Sequence, residues 1–219
     1  MQTSIRIVAT LAYAFSAVAL GAAAGGDISK VNGSIRIDDG EVAGDISSVN
    51  GSVSLGRGAS ANEVDTVNGS VRLDTNAKVR SAETVNGSVV LAEGVQVSED
   101  VSTVNGSMTL GRGARVGGAL ENVNGTLRLD GASVDGGLQT VNGDIYIGAA
   151  SRVAGGVHIE DNKSWFKGNA WSRNPRMTVE AGASIEGPLH FEREIDLYVA
   201  PGVTLPPIEG VAPKRYALQ

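Results

Sequence analysis

Two short segments of the chain place a histidine and a glutamate in the same pattern. The segment VHIE ends at Glu160, and the segment LHFE ends at Glu192. In an extended strand, residues two apart share one face, so each segment presents an imidazole and a carboxylate together. Nitrogen and oxygen ligands of this kind suit zinc. The sequence therefore predicts a metal site of His158, Glu160, His190 and Glu192, with zinc as its ion and no other cofactor.

These four residues also have a structural interpretation. If the two segments lie on neighbouring strands, His158 stacks on His190 and Glu160 stacks on Glu192. Cross-strand pairs of this kind stabilise sheets without any ion. The chain contains two histidines in total, so no third imidazole completes a ligand set. A metal site and a plain His/Glu ladder both stay open from the sequence.

A group of aromatic residues lies between the two segments. Trp165, Phe166 and Trp171 fall within DNKSWFKGNAWSRNPR, which we interpret as a loop inserted at about residues 161–176. Exposed rings can stack on sugars or dock a protein. The same rings can also cover the flank of the protein. The sequence therefore indicates either a contact site for a glycan or protein partner or a shielding loop.

The elements that position these residues come from a repeat. Val-Asn-Gly occurs seven times at intervals of 18 or 19 residues, and such a regular period indicates a repeat architecture. Apolar and polar residues alternate within each copy, as in SVRLD, which is typical of strands with one buried face. Gly-rich joints separate the strands, so one repeat forms one coil of a parallel β-helix. The copies begin at Val31, Val49, Val67, Val85, Val104, Val123 and Val141.

Aligning the copies gives columns of aliphatic residues. We predict an all-β, single-domain parallel β-helix (β-solenoid) over residues 25–205, with about 18 residues per coil and about nine coils. A Pro-rich C-terminal tail at 206–219 should end the hydrogen-bond ladder, because proline lacks the donor. One column, near a corner of the coil, contains Val42, Val79, Val97, Val116, Val134 and Val153.

Val-Asn-Gly itself is predicted to form a corner. In this interpretation the valine enters the core, the glycine permits the bend through a positive φ, and the asparagine joins an amide ladder along the axis. The alternative for the asparagines is glycosylation, because six of the seven copies continue as Asn-Gly-Ser or Asn-Gly-Thr.

The N-terminal residues indicate export. Arg6 precedes an apolar run that ends in Ala22, Ala23 and Ala24, which predicts a signal peptide at 1–24 and no stable membrane span after its cleavage. An uncleaved membrane anchor is the alternative. The expected location is the periplasm or the cell surface. The formal net charge of −6 argues against nucleic acid as a partner.

The repeats resemble two bacterial families. The stretches GARVGGAL and GASVDGGLQTVNGDI are similar to bactofilins, the polymer-forming β-helical cytoskeletal proteins, and the Val-Asn-Gly-Ser run resembles putative-adhesin β-repeat proteins. The likeness covers about residues 26–205. The resemblance to bactofilins implies a right-handed β-helix that polymerises end to end without nucleotide.

These observations predict a function that is not enzymatic. We expect an exported scaffold or adhesin-like envelope protein that forms homo-oligomers through the edge of its N-terminal coil, because open strand edges pair readily. An envelope glycan or protein is the other expected partner. The alternative is a β-helix that binds a glycan or metal, or acts on a polysaccharide, through the His/Glu ladder and the aromatic loop. Catalysis is disfavoured because the sequence shows no Ser/His/Asp arrangement, and no pair of acids stands out beyond Glu160 and Glu192.

Overall fold

The predicted β-solenoid is confirmed. The computed structural model describes residues 25–161 and 173–218, and every regular element in these ranges is a β-strand. The strands form three parallel sheets with ten, ten and six strands, so the described residues make ten turns rather than nine. No helix in the described ranges is long and apolar enough to cross a membrane. The predicted signal peptide at 1–24 lies outside the described residues.

Each turn contributes one strand to each of two long sheets. Sheet 1 consists of Ile28–Asn32, Ile46–Asn50, Glu63–Asn68, Ser81–Asn86, Val101–Asn105, Ala119–Asn124, Gly137–Thr140, Val157–Ile159, Leu189–Phe191 and Ile208–Gly210. Sheet 2 consists of Ile35–Ile37, Val53–Leu55, Val71–Leu73, Val89–Leu91, Met108–Leu110, Thr126–Leu129, Asp144–Ile147, Arg176–Val179, Asp196–Val199 and Lys214–Ala217.

A third, shorter sheet closes the coil. Sheet 3 consists of Lys78–Val79, Gln96–Val97, Arg115–Val116, Ser133–Val134, Arg152–Val153 and Ser184–Ile185. Two isolated parallel bridges extend sheet 3 toward the N-terminus, because Lys78 pairs with Ser60 and Ser60 pairs with Val42.

The core is a stack of aliphatic side chains that point inward from all three sheets. In Val71–Leu73 the two end residues are fully buried while Arg72 is exposed, as the alternation predicts. Val42 is an exception, because it pairs with Ser60 on the outer face and Ala43 takes the inward place. The prediction of a buried Val42 is therefore wrong by one residue of register.

The corner at Val-Asn-Gly differs from the prediction. From the second turn to the seventh, the residue before the valine is buried, and the valine is half-buried on the outer face. Thr66 and Thr84 occupy this inward position, and each hydroxyl donates to a glycine carbonyl of the turn before, Gly51 and Gly69 respectively, at 2.8 Å. A threonine thus satisfies a corner carbonyl that would otherwise lack a donor.

The corner glycines are required by close packing between turns. A Cβ at Gly87 would lie 1.9 Å from the carbonyl oxygen of Gly69, and one at Gly106 would lie 1.8 Å from that of Gly87. Of the seven corner glycines, two have positive φ, Gly33 at 103° and Gly125 at 130°. The prediction that the bend itself needs glycine is wrong for the other five.

The predicted asparagine ladder is confirmed. Each amide nitrogen donates to the amide oxygen one turn earlier, from Asn50 to Asn32 at 3.2 Å and onward at 3.0, 3.0, 3.0, 2.9 and 3.2 Å. The ladder ends at Asn142, whose oxygen accepts a hydrogen bond from Arg193 at 3.1 Å. The asparagines therefore tie successive turns together along one edge of the solenoid.

The expected Pro-rich tail forms the tenth turn. Ile208–Gly210 pairs with Leu189–Phe191, and Lys214–Ala217 pairs with Asp196–Val199. The prolines lie before these strands, where no ladder donor is lost. Pro207 even contributes its carbonyl, which accepts from the backbone N–H of Leu189 at 3.0 Å. The prediction that proline ends the ladder is wrong for this reason.

Candidate functional site

The histidines of the candidate site lie on neighbouring strands of sheet 1. His158 pairs with His190 in parallel register, between two pairs of buried apolar residues. The side chains at 158 and 190 therefore point outward and lie next to each other along the solenoid. Their ring centroids are 5.0 Å apart, and the planes meet at 76°. The pairing of these strands therefore places the two imidazoles side by side.

Glu192 completes a group of three possible metal ligands. Its Oε1 lies 3.3 Å from Nε2 of His158. One ligand atom each from His158, His190 and Glu192 can be chosen so that all lie within 4.8 Å of one another. The side chains are 34%, 42% and 40% exposed, so an ion can reach them from solvent.

Glu160 lies outside this group. Its carboxylate accepts a hydrogen bond from Nε2 of Gln139, on the turn before. Glu192 instead interacts with His158 and with the backbone of Asp161. The structure thus brings three of the four predicted residues together, while the carboxylate of Glu160 is engaged with Gln139 instead.

Two further groups fix the charge and orientation of the site. The backbone N–H of Asp161 donates to Oε2 of Glu192 at 3.1 Å, and this bond, together with His158, lowers the pKa of Glu192 below its usual value. Oε2 of Glu209 lies 3.6 Å from Nδ1 of His190. Sequence reasoning missed Glu209 because the Pro-rich segment at 206–219 is not expected to continue the strand ladder.

A shallow cavity of about 280 Å³ borders the histidines. Four of its lining residues are glycines, at Gly136, Gly137, Gly155 and Gly156. A Cβ at Gly156 would lie 2.3 Å from the carbonyl oxygen of Pro188, so the turns pack too closely there for a side chain. The cavity therefore borders both imidazoles without a side chain at these four positions.

Acidic residues continue the same outer face toward the N-terminus. Asp65 and Glu83 are paired neighbours in the column that leads to His158. Burial, followed by the charges of Glu83 and Glu63, raises the pKa of Asp65 to about 7. Burial and the charge of Glu63 also raise the pKa of Glu83. Sequence reasoning missed this column, although the spacing of Asp65 and Glu83 by one repeat is visible in the sequence.

The aromatic residues of the predicted contact site, Trp165, Phe166 and Trp171, lie outside the described residues. Comparison of the chain with protein-family models, curated proteins and solved structures finds no match. Function must therefore be inferred from the geometry of the chain itself.

Proposed function

We propose that this protein is a non-enzymatic structural β-solenoid that associates with copies of itself through its end turns. The predicted signal peptide at 1–24 supports an exported protein of the cell envelope, in the periplasm or at the surface, where an adhesin-like role is consistent with the fold. The observation that carries the proposal is the position of the exposed apolar side chains.

All four large apolar side chains that are strongly exposed within the described ranges belong to the first or the last turn. Val31 and Val42 lie in the first turn, with 61% and 46% of their surface exposed. Val211 and Tyr216 lie in the last turn, with 41% and 42% exposed. An inner turn covers such residues with the turns on both sides, whereas an end turn has one neighbour. A second copy would supply the missing neighbour.

The two ends complement each other in a head-to-tail contact. Tyr216 stacks on Tyr198 at 4.7 Å and leaves its other face free. The first residue of the same outward column is Arg36. Inside the chain this column already places the guanidinium of Arg128 4.1 Å from the centre of the Tyr146 ring. In a head-to-tail assembly the N-terminal edge of the next copy would bring its Arg36 to Tyr216 in the same cation–π arrangement.

Charges at the two ends limit this association. Lys30 occupies the inward column that holds serine or threonine in the next turns, and its Nζ donates to the carbonyl of Ser34 at 3.1 Å. Arg215 occupies the inward column of Leu197 at the other end. Inward cations on edge strands discourage pairing. The expected assembly is therefore weak and depends on protein concentration.

Light scattering after size exclusion over a range of concentrations, with negative-stain microscopy of the same fractions, tests the proposal. We expect mass to rise with concentration, Lys30→Thr to strengthen association and Tyr216→Asp to weaken it. Lys78→Thr is the matched control, because it removes the same charge from an exposed position in an inner turn. A strict monomer at every concentration, including for Lys30→Thr, would refute self-association.

A further inference from the structure

The geometry points to a zinc site formed by His158, His190 and Glu192, with a fourth coordination position open to solvent and to the glycine-lined cavity. This inference goes beyond self-association, because the site lies on the outer face of sheet 1 and needs no second copy of the chain. Its support comes from ligand type, spacing and the groups behind the ligands.

The ligand types and their spacing fit a small transition-metal ion. Two imidazole nitrogens and one carboxylate oxygen are the donor set of many open zinc sites, where water or a bound molecule takes the fourth position. Zinc bonds to nitrogen at about 2.0–2.1 Å, so tetrahedral ligands sit roughly 3.3 Å apart. His158 Nε2 and Glu192 Oε1 are already 3.3 Å apart, and the full set lies within 4.8 Å. Small side-chain rotations on a fixed backbone close the remaining gap.

Residues behind the ligands prepare them for an ion. The backbone N–H of Asp161 donates to Oε2 of Glu192, which leaves Oε1 of Glu192 beside Nε2 of His158. Oε2 of Glu209 lies 3.6 Å from Nδ1 of His190, so a carboxylate lies beside this ring where it can orient the imidazole. Carboxylates behind metal-binding histidines act in this way in many sites. Glu209 is thus a positioning residue rather than a ligand.

The alternative is a His/Glu ladder without an ion, and the two interpretations differ in a direct measurement. Isothermal titration of protein carrying no histidine tag with zinc chloride should give saturable heat at about one ion per chain. The two histidines are the whole histidine content of the chain, so the imidazole NMR signals report this site alone. Both sets of signals should shift with zinc. Magnesium, which prefers oxygen ligands, should give no comparable heat.

Variants separate the ligands from their neighbours. His158→Gln, His190→Gln and Glu192→Gln should each weaken zinc binding at least about 100-fold, and Glu209→Gln about 10-fold. Glu160→Gln is the matched control and should bind zinc within about twofold of the original chain, because its carboxylate is engaged with Gln139. Circular dichroism melts check that every variant is folded. Absent zinc heat, equal response to magnesium, or unchanged binding in both histidine variants would overturn the site.

Discussion

Replacing Gly87 with alanine tests the packing between turns most directly. The new Cβ would lie 1.9 Å from the carbonyl oxygen of Gly69, whereas real Cβ contacts essentially never fall below 3.0 Å. The two turns must therefore separate locally by about 1 Å, and the atoms that resist are backbone. The same carbonyl accepts the buried hydroxyl of Thr84 at 2.8 Å, so this bond is strained or lost as well.

The magnitude follows from these two losses. Overpacking of a well-packed interior costs about 1–3 kcal/mol, and loss of a buried hydrogen bond costs a further ~1–3 kcal/mol. We expect Gly87→Ala to lower the free energy of unfolding by about 4 kcal/mol, which lowers the melting temperature of a chain of this size by roughly 10 °C. Thermal unfolding followed by circular dichroism measures the shift.

Two other glycines serve as controls. Gly26 has open space where a Cβ would lie and no positive φ, so Gly26→Ala should melt within about 1 °C of the original chain. Gly33 also has open space but a φ of 103°, so Gly33→Ala isolates the backbone strain of about 1–2 kcal/mol. If Gly87→Ala melts no lower than Gly33→Ala, packing between turns is not the reason for the corner glycines.

Three further predictions concern the acidic column, the asparagine ladder and the core. Because the folded state raises the pKa of Asp65 from 3.8 to about 7, ionising Asp65 costs stability progressively as pH rises between these values and fully above 7. The whole shift corresponds to ~4 kcal/mol, and solvent screening of this half-buried group reduces it to about 1–2 kcal/mol. Asp65→Asn should therefore stabilise the protein more at pH 8 than at pH 5, and an equal gain in thermal melts at both values would contradict this assignment. Asn86→Ala removes two hydrogen bonds of the asparagine ladder, and Asn32→Ala removes one. We expect these variants to lower the free energy of unfolding, measured with denaturant, by about 1–2 and ~0.5–1 kcal/mol respectively. A larger loss for Asn32→Ala than for Asn86→Ala would count against the ladder. Leu73→Ala empties a fully buried position and should cost about 2–5 kcal/mol in the same assay, unlike an exposed leucine.

The sequence predicts the solenoid well because its information is repeated. One-per-turn columns of aliphatic residues specify the strands, their register and the stacking of His158 on His190. The corner is harder to predict, because the period-two alternation of burial continues into it while the order of hydrophobic and polar residues does not follow that alternation. There the buried residue is Thr84 and the half-buried one is Val85, the reverse of what hydrophobicity alone predicts. Thr84 occupies the inward position because its hydroxyl donates a hydrogen bond to a corner carbonyl, which a valine cannot do.

The candidate site occurs where the repeat is broken. Through the seventh turn the outer face of sheet 1 carries valine beside the asparagine ladder, which ends at Asn142. In the next two turns the valine position holds Glu160 and Glu192, and the column beside it changes from Gln139 to the two histidines. The inward residues of these two turns are buried and apolar, with Ile159 and Phe191 in the column of Thr140. Outward residues that change the chemistry of two adjacent turns while the inward positions stay buried are what a binding site on a solenoid requires. The contacts of Glu192 could not be inferred from such a pattern, because they depend on side-chain rotamers. The position of Glu209 could not be inferred either, because the prolines before it predict the end of the ladder rather than a tenth turn.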